Sequence, residues 1–116
     1  MAGSPRRIVT GYDGSDGSLR ALDAAADLVG YGSTLVVVST STRGPAHLRQ
    51  LVDQARQRLL HRQVLARFVE FAGDLGEGVA EAVASLGADL VVLDRGKSTL
   101  VLEPGAPIDH DVLLVH

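Results

Sequence analysis

Short apolar runs alternate with amphipathic stretches along most of this 116-residue chain. The apolar run Leu35–Val38, which is rich in β-branched valine, and the run that ends at Leu93 are typical of strands that are covered on both faces. Between such runs, apolar residues recur at helical spacing, as Leu51, Ala55 and Leu59 do. The alternation predicts an α/β fold with an open, mainly parallel five-stranded sheet and helices on both of its faces.

Turn and cap residues set the bounds of these elements. Asp74 with Glu77 has the spacing of a capping box, and Gly30 and Gly87 suit helix ends. The segment 95–110 has no helical pattern, and Leu100–Leu102 in it is a candidate short extra strand. The predicted strands are Ile8–Gly11, Thr34–Ser39, Ala66–Phe71, Asp89–Leu93 and Asp111–His116, and the predicted helices are Ser18–Val29, Ala46–Val64 and the stretch between Asp74 and Gly87.

Composition limits the class of protein. The length predicts one domain over residues 1–116, and a net charge of −3 argues against a nucleic-acid partner. The chain has no cysteine, which excludes disulfides and thiolate metal sites. No apolar run approaches the roughly 18 residues of a membrane span, and the N-terminus lacks the apolar region of a signal peptide. We therefore expect a cytoplasmic protein that has no membrane partner.

The first predicted strand runs into a glycine-rich turn, residues 11–18, and then directly into a helix. Such a turn can hold a phosphate group on its backbone N–H groups, or it can simply connect strand and helix, and the local pattern leaves both open. Its glycines, Gly11, Gly14 and Gly17, are three apart, which is not the spacing of the dinucleotide-binding fingerprint. The second strand ends in Ser39–Thr42, where no acid is present to hold a ribose.

Two aspartates follow predicted strands at the sheet edge where open α/β sheets bind ligands. Asp13 follows the first strand and Asp94 the fourth. Asp13 either contacts a ligand or bonds the backbone of its own turn. The two carboxylates together can also share a metal ion or act as an acid–base pair. The G-K-S triplet that starts at Gly96 is not a Walker A loop, because residue 91 is valine where the loop needs glycine.

Two histidines and four arginines are candidates for binding a metal ion, an anion or a partner. His110 and His116 would lie about 20 Å apart along the last strand, so we expect no metal between them. The second helix is basic through four arginines, and a solvated face or a site for an anion or a partner can explain it. These arginines are Arg49, Arg56, Arg58 and Arg62.

The motifs in order resemble the universal stress protein family. This resemblance implies a five-stranded parallel sheet in the order 3-2-1-4-5, ATP binding in many members, and homodimers joined through the last strand, here Val112, Leu113, Leu114 and Val115. It places adenosine contacts on Gly11, Tyr12 and Asp13 and near Thr40. The matching segments are Ile8–Ser15, Ser18–Ala25, Leu35–Ser39, Gly73–Asp74, Ala88–Leu93 and Asp111–Val115.

The chain departs from the family pattern after the fourth strand. The family's phosphate loop has the form G-x-x-G-x9-G-S/T there, whereas this chain has Asp94 in place of the first glycine and no counterpart of the final helix. A carboxylate repels phosphate, although Arg95 and Lys97 can partly compensate. Any anion would lie near these two residues and near Gly14, Ser15 and Gly96.

These observations together predict a regulatory or stress-response domain with a weak or vestigial adenine-nucleotide site for ATP, ADP or AMP. No catalytic constellation is complete, so we expect a binding protein and not an enzyme. One alternative is a dimerisation or interaction module that binds no ligand. Another is a nucleotide hydrolase or ATP-pyrophosphatase relative in which Asp13 or Asp94 holds Mg²⁺.

Overall fold

A computed structural model of the protein describes residues 7–30, 32–95, 98–102 and 112–115, and beyond Leu93 it describes the backbone only. The three predicted helices and the first four predicted strands are present within a few residues of their expected bounds. The elements in chain order are β1 (Arg7–Tyr12), α1 (Asp16–Leu28), β2 (Thr34–Ser39), α2 (Pro45–His61), β3 (Ala66–Glu70), α3 (Leu75–Leu86), β4 (Leu90–Arg95), β5 (Ser98–Leu102) and β6 (Val112–Val115).

The described sheet has the order β3-β2-β1-β4-β5-β6, and its first four strands are parallel. The expected order 3-2-1-4 is confirmed, but the expected parallel fifth strand beside β4 is wrong. β5 is antiparallel to β4, with Arg95 paired to Ser98, and β6 is antiparallel to β5. Only residues 96 and 97 separate β4 from β5, far fewer than the dozen or so that a crossover between parallel strands needs.

The helices pack on both faces of the sheet, as the alternation predicted. Side chains such as Ile8 and Val37 point to the face that α1 and α2 cover, while Val9 and Val38 point to the face of α3. β1 and β2 therefore bury every residue except their first between two apolar layers. None of the helices in the described part of the chain has the length and hydropathy needed to cross a bilayer. The expected lack of a final helix concerns residues 103–111, which lie outside the described residues.

Arginines of α2 bind aspartates of α1 across the helix–helix contact. Arg58 donates two hydrogen bonds to the Asp23 carboxylate, at 2.7 and 2.8 Å, and Arg62 reaches both Asp23 and Asp27. Arg56 instead pairs with Asp53 on its own helix. The hydrogen bonds and charge of Arg58 hold the pKa of Asp23 below its ordinary value. The basic character of α2 thus largely serves contacts within the chain.

Gly11 lets α3 approach β1 closely. A Cβ atom on this residue would lie 2.9 Å from Leu75 Cδ1 and 3.1 Å from Val79 Cγ2. Both distances are shorter than ordinary carbon–carbon contacts of about 3.5–4.0 Å. The first glycine of the turn motif therefore serves helix packing, and it also positions the start of α3 at the carboxyl edge of the sheet.

Candidate functional site

A cleft of about 570 Å³ opens at the carboxyl edge of the sheet, where β1, β2 and β3 end. Its walls are the β1–α1 turn, the β2–α2 loop with the first half of α2, and the loop before α3. Parallel sheets of this kind bind their ligands at this edge because the loops that follow neighbouring strands converge there. The lining residues are Asp13, Gly14, Ser15, Thr40, Ser41, Thr42, Arg43, His47, Leu51, Gln54, Gly73, Asp74 and Leu75.

The β1–α1 turn forms one wall and is held by a local hydrogen-bond network. Asp13 Oδ1 accepts a bond from the Ser15 N–H at 3.0 Å, and Ser15 Oγ caps α1 by accepting from the Ser18 N–H at 3.1 Å. The buried Ser18 hydroxyl donates to the Ser15 carbonyl and accepts from the Asp13 N–H. Gly14 adopts a φ of +88°, which favours glycine. The network fixes the Asp13 carboxylate at the mouth of the cleft.

The same network keeps Asp13 ionised. Partial burial raises the pKa of this carboxyl, but the hydrogen bonds from Ser15 and Ser18 outweigh that effect and lower the pKa below its ordinary value. At neutral pH Asp13 is therefore an acceptor only, suited to donors such as ligand hydroxyls. The turn-forming role considered for Asp13 is present, and it leaves the carboxylate lining the cleft.

The β2–α2 loop forms a second wall. Ser41 Oγ accepts a bond from the Arg43 N–H at 3.0 Å and lies 2.6 Å from His47 Nδ1. Thr40 precedes this group and is almost fully buried. The loop and the first turn of α2 thereby place Ser41, Arg43 and His47 together in the lining of the cleft.

The third wall is the start of α3. The Asp74 side chain caps this helix by accepting from the Glu77 N–H at 3.2 Å, as the capping-box spacing predicted. Asp74 and Leu75 both line the cleft, and Leu75 is the residue that packs over Gly11. The cap therefore also places a second carboxylate in the cleft.

The candidate residues from the sequence divide into three groups. Asp13, Gly14, Ser15 and Thr40 line the cleft. Gly11 packs against α3, and the Tyr12 ring belongs to the core, where its hydroxyl donates to Gln54 Oε1 at 3.0 Å. Burial raises the pKa of the Tyr12 hydroxyl. Gly96 and Lys97, and the side chains of Asp94, Arg95, Val112, Leu113, Leu114 and Val115, lie outside what the structure describes.

Sequence reasoning missed the contribution of the β2–α2 loop. Ser41 was noted only as the end of a strand that lacks an acid, and Arg43 and His47 were not singled out. The six-residue separation of Ser41 and His47 matches no regular element, so no periodic signal marks the pair. Their position after a strand of a parallel sheet was the available clue, because every such loop lies at the carboxyl edge.

Within the residues whose side chains are described, no group of three or more His, Asp or Glu side chains is arranged to hold a metal ion. This finding does not test the metal site considered for Asp13 and Asp94, since the Asp94 side chain is not described. The cleft instead presents two carboxylates, Asp13 and Asp74, together with Arg43 and His47. Such a mixture of donors and acceptors suits an organic ligand that carries both hydroxyl and anionic groups.

The fold and the cleft define an α/β domain that places a polar ligand site at the carboxyl edge of a parallel sheet. Residues 5–103 match the universal stress protein family, and the chain belongs to this family. The search of curated proteins finds no match.

Two solved structures are similar to the chain. Protein Rv1636 from Mycobacterium tuberculosis H37Rv is 26% identical, with a TM-score of 0.65, and the match covers 81% of this chain and 74% of that one. A universal stress protein in complex with cAMP is 25% identical, with a TM-score of 0.67, and the match covers 78% and 73%.

Proposed function

We propose that this domain binds an adenine nucleotide in the carboxyl-edge cleft and acts as a regulatory or stress-response module. The observation that carries the proposal is the Asp13 carboxylate, which lines the cleft, accepts a hydrogen bond from the Ser15 N–H and has a pKa below its ordinary value. Ribose hydroxyls donate well to such a group. A similar solved protein has cAMP bound, which supports an adenine nucleotide as the ligand.

Isothermal titration calorimetry of the protein with adenosine, AMP, cAMP and ATP tests this function. An Asp13→Asn variant keeps one oxygen that can accept from the Ser15 N–H, removes the charge and replaces the second oxygen by an NH2 donor. We expect it to bind adenosine about tenfold more weakly than the unmodified protein, because a hydrogen bond to a charged group contributes about 1.5–3 kcal/mol. Asp16→Asn, an exposed change in the first turn of α1, is the matched control and should bind normally.

Two experimental results would contradict the proposal. Absence of heat and of thermal stabilisation with adenosine, AMP, cAMP and ATP would favour a dimerisation or interaction module that binds no ligand. A melting temperature that rises with protein concentration but does not change with any of these nucleotides would support that alternative. Mg²⁺-dependent nucleotide turnover that Asp13→Asn abolishes would instead favour the hydrolase alternative, since our proposal is that the domain acts by binding and not by catalysis.

We also propose that two copies associate through β6, in the cytoplasm, as the family resemblance implies. β6 is the last strand in the described sheet, and a strand at a sheet edge offers unpaired N–H and C=O groups to another chain. The apolar stretch Val112–Val115 suits pairing with a second copy of itself. Sedimentation velocity over a hundredfold range of concentration should reveal a dimer, and a monomer throughout would contradict this proposal.

A further inference from the structure

Charge is distributed unevenly around the cleft. Asp13 and Asp74 line it on the α1 and α3 sides, whereas Arg43 and His47 line it on the α2 side. Two groups of like charge repel each other, and two of opposite charge attract. A ligand that carries a negative group is therefore favoured in one orientation, with that group directed away from the two carboxylates and toward the α2 side.

Arg43 is available for such a group. Arg56, Arg58 and Arg62 all pair with aspartates. Among the side chains that the structure describes, no carboxylate pairs with Arg43. Its side chain is exposed and lines the cleft. A guanidinium binds phosphate oxygens through a planar set of N–H donors, so an arginine in this position suits a phosphate group.

Ser41 holds His47 beside Arg43. Ser41 Oγ accepts from the Arg43 N–H and has one proton that it can donate to His47 Nδ1, which lies 2.6 Å away. With Nδ1 as acceptor, the neutral ring carries its hydrogen on Nε2, and Nε2 is then its remaining donor. The histidine is thus oriented before any ligand binds, which lowers the entropy cost of using it as a contact.

We propose that Arg43 and His47, with Ser41 as the positioning residue, form a subsite for the single phosphate of a nucleoside monophosphate, either an open 5′-monoester or a cyclic diester. This inference rests on the proposed function. It further specifies which residues bind the phosphate and that the cleft accepts one phosphate. One phosphate is matched by the arginine and the histidine. Beyond Arg43, the described cleft-lining residues include no Lys or Arg that could pair with the additional charges of a triphosphate.

Calorimetric titrations of the full chain with adenosine, AMP, cAMP and ATP test the subsite. AMP or cAMP should bind about tenfold more tightly than adenosine, and ATP should gain nothing over the better of the two. Arg43→Gln should lose about tenfold in affinity for the phosphate-bearing ligand and keep its affinity for adenosine. Arg49→Gln, also exposed and on α2 but not in the cleft lining, should bind all ligands normally.

Ser41→Ala provides a second test, because it leaves both Arg43 and His47 in place. It should weaken binding of the monophosphate by a few-fold and leave adenosine binding unchanged. The AMP and cAMP titrations show which phosphate chemistry the subsite prefers, and a gain over adenosine with either one supports the subsite.

Equal affinity for adenosine and both monophosphates, with no effect of Arg43→Gln, would overturn the subsite and leave the proposed function standing. Tighter binding of ATP than of AMP and cAMP would also overturn it. Failure of every ligand, adenosine included, would overturn both proposals.

Discussion

A Leu22→Ala variant is expected to lose about 3 kcal/mol of unfolding free energy and to melt roughly 10 °C lower. Leu22 lies on the inner face of α1 and is 0% exposed, in the core cluster that α1, α2 and the sheet share. Truncation to alanine removes three buried carbon atoms and leaves a cavity, because closely packed surroundings relax only partly. Urea denaturation, followed by circular dichroism, measures the change.

Leu28→Ala is the matched control for this prediction. The two leucines belong to the same helix, and the substitution is chemically identical, but Leu28 is 41% exposed. Its loss should therefore cost less than about 1 kcal/mol. Equal losses at both positions would contradict the packing of α1 on the sheet, since that packing buries Leu22 and leaves Leu28 exposed.

A Gly11→Val variant is expected to destabilise the protein by about 2 kcal/mol. Overpacking against Leu75 and Val79 costs about 3 kcal/mol, because the new Cβ would lie 2.9 Å from Leu75 Cδ1. The preference of strands for valine over glycine offsets this by about 1 kcal/mol at most. Leu75 also lines the cleft, so its displacement should weaken binding of adenosine as well.

Gly30→Val tests whether close approach is the cause. Gly30 has no atom within 4 Å of where its Cβ would lie, so the same substitution there should change the free energy of unfolding by less than about 0.5 kcal/mol. Stability of Gly11→Val equal to that of the unmodified protein would show that α3 does not pack on β1 at the described distance.

Much of the fold was predictable because local patterns report which residues face the core. The valine-rich run Leu35–Val38 lies in the interior strand β2. The residues Leu51, Ala55 and Leu59, which recur at helical spacing, are buried on one side of α2. The capping residue Asp74 was predicted from its spacing to Glu77. In each case the sequence pattern and the structure that it predicts lie within the same short segment of the chain.

The direction of the strands after β4 was not predictable in the same way. Leu100–Leu102 had the composition of a strand, but an apolar run does not indicate whether its neighbour is parallel or antiparallel. The two-residue separation of β4 and β5 decides it, and this separation follows only once β5 is known to begin at Ser98. The sheet therefore continues beyond β4 in a way that the family resemblance alone did not imply.

By itself, the amino-acid sequence determined the alternation of strands and helices, the family, and the turn that places Asp13 at a sheet edge. Tertiary structure alone decided which other side chains meet Asp13. Arg43, His47 and Asp74 are 30 or more residues from it in the chain and come to one cleft because β1, β2 and β3 are parallel neighbours. Parallel order brings the loops after those strands to one edge, and no local pattern records that convergence.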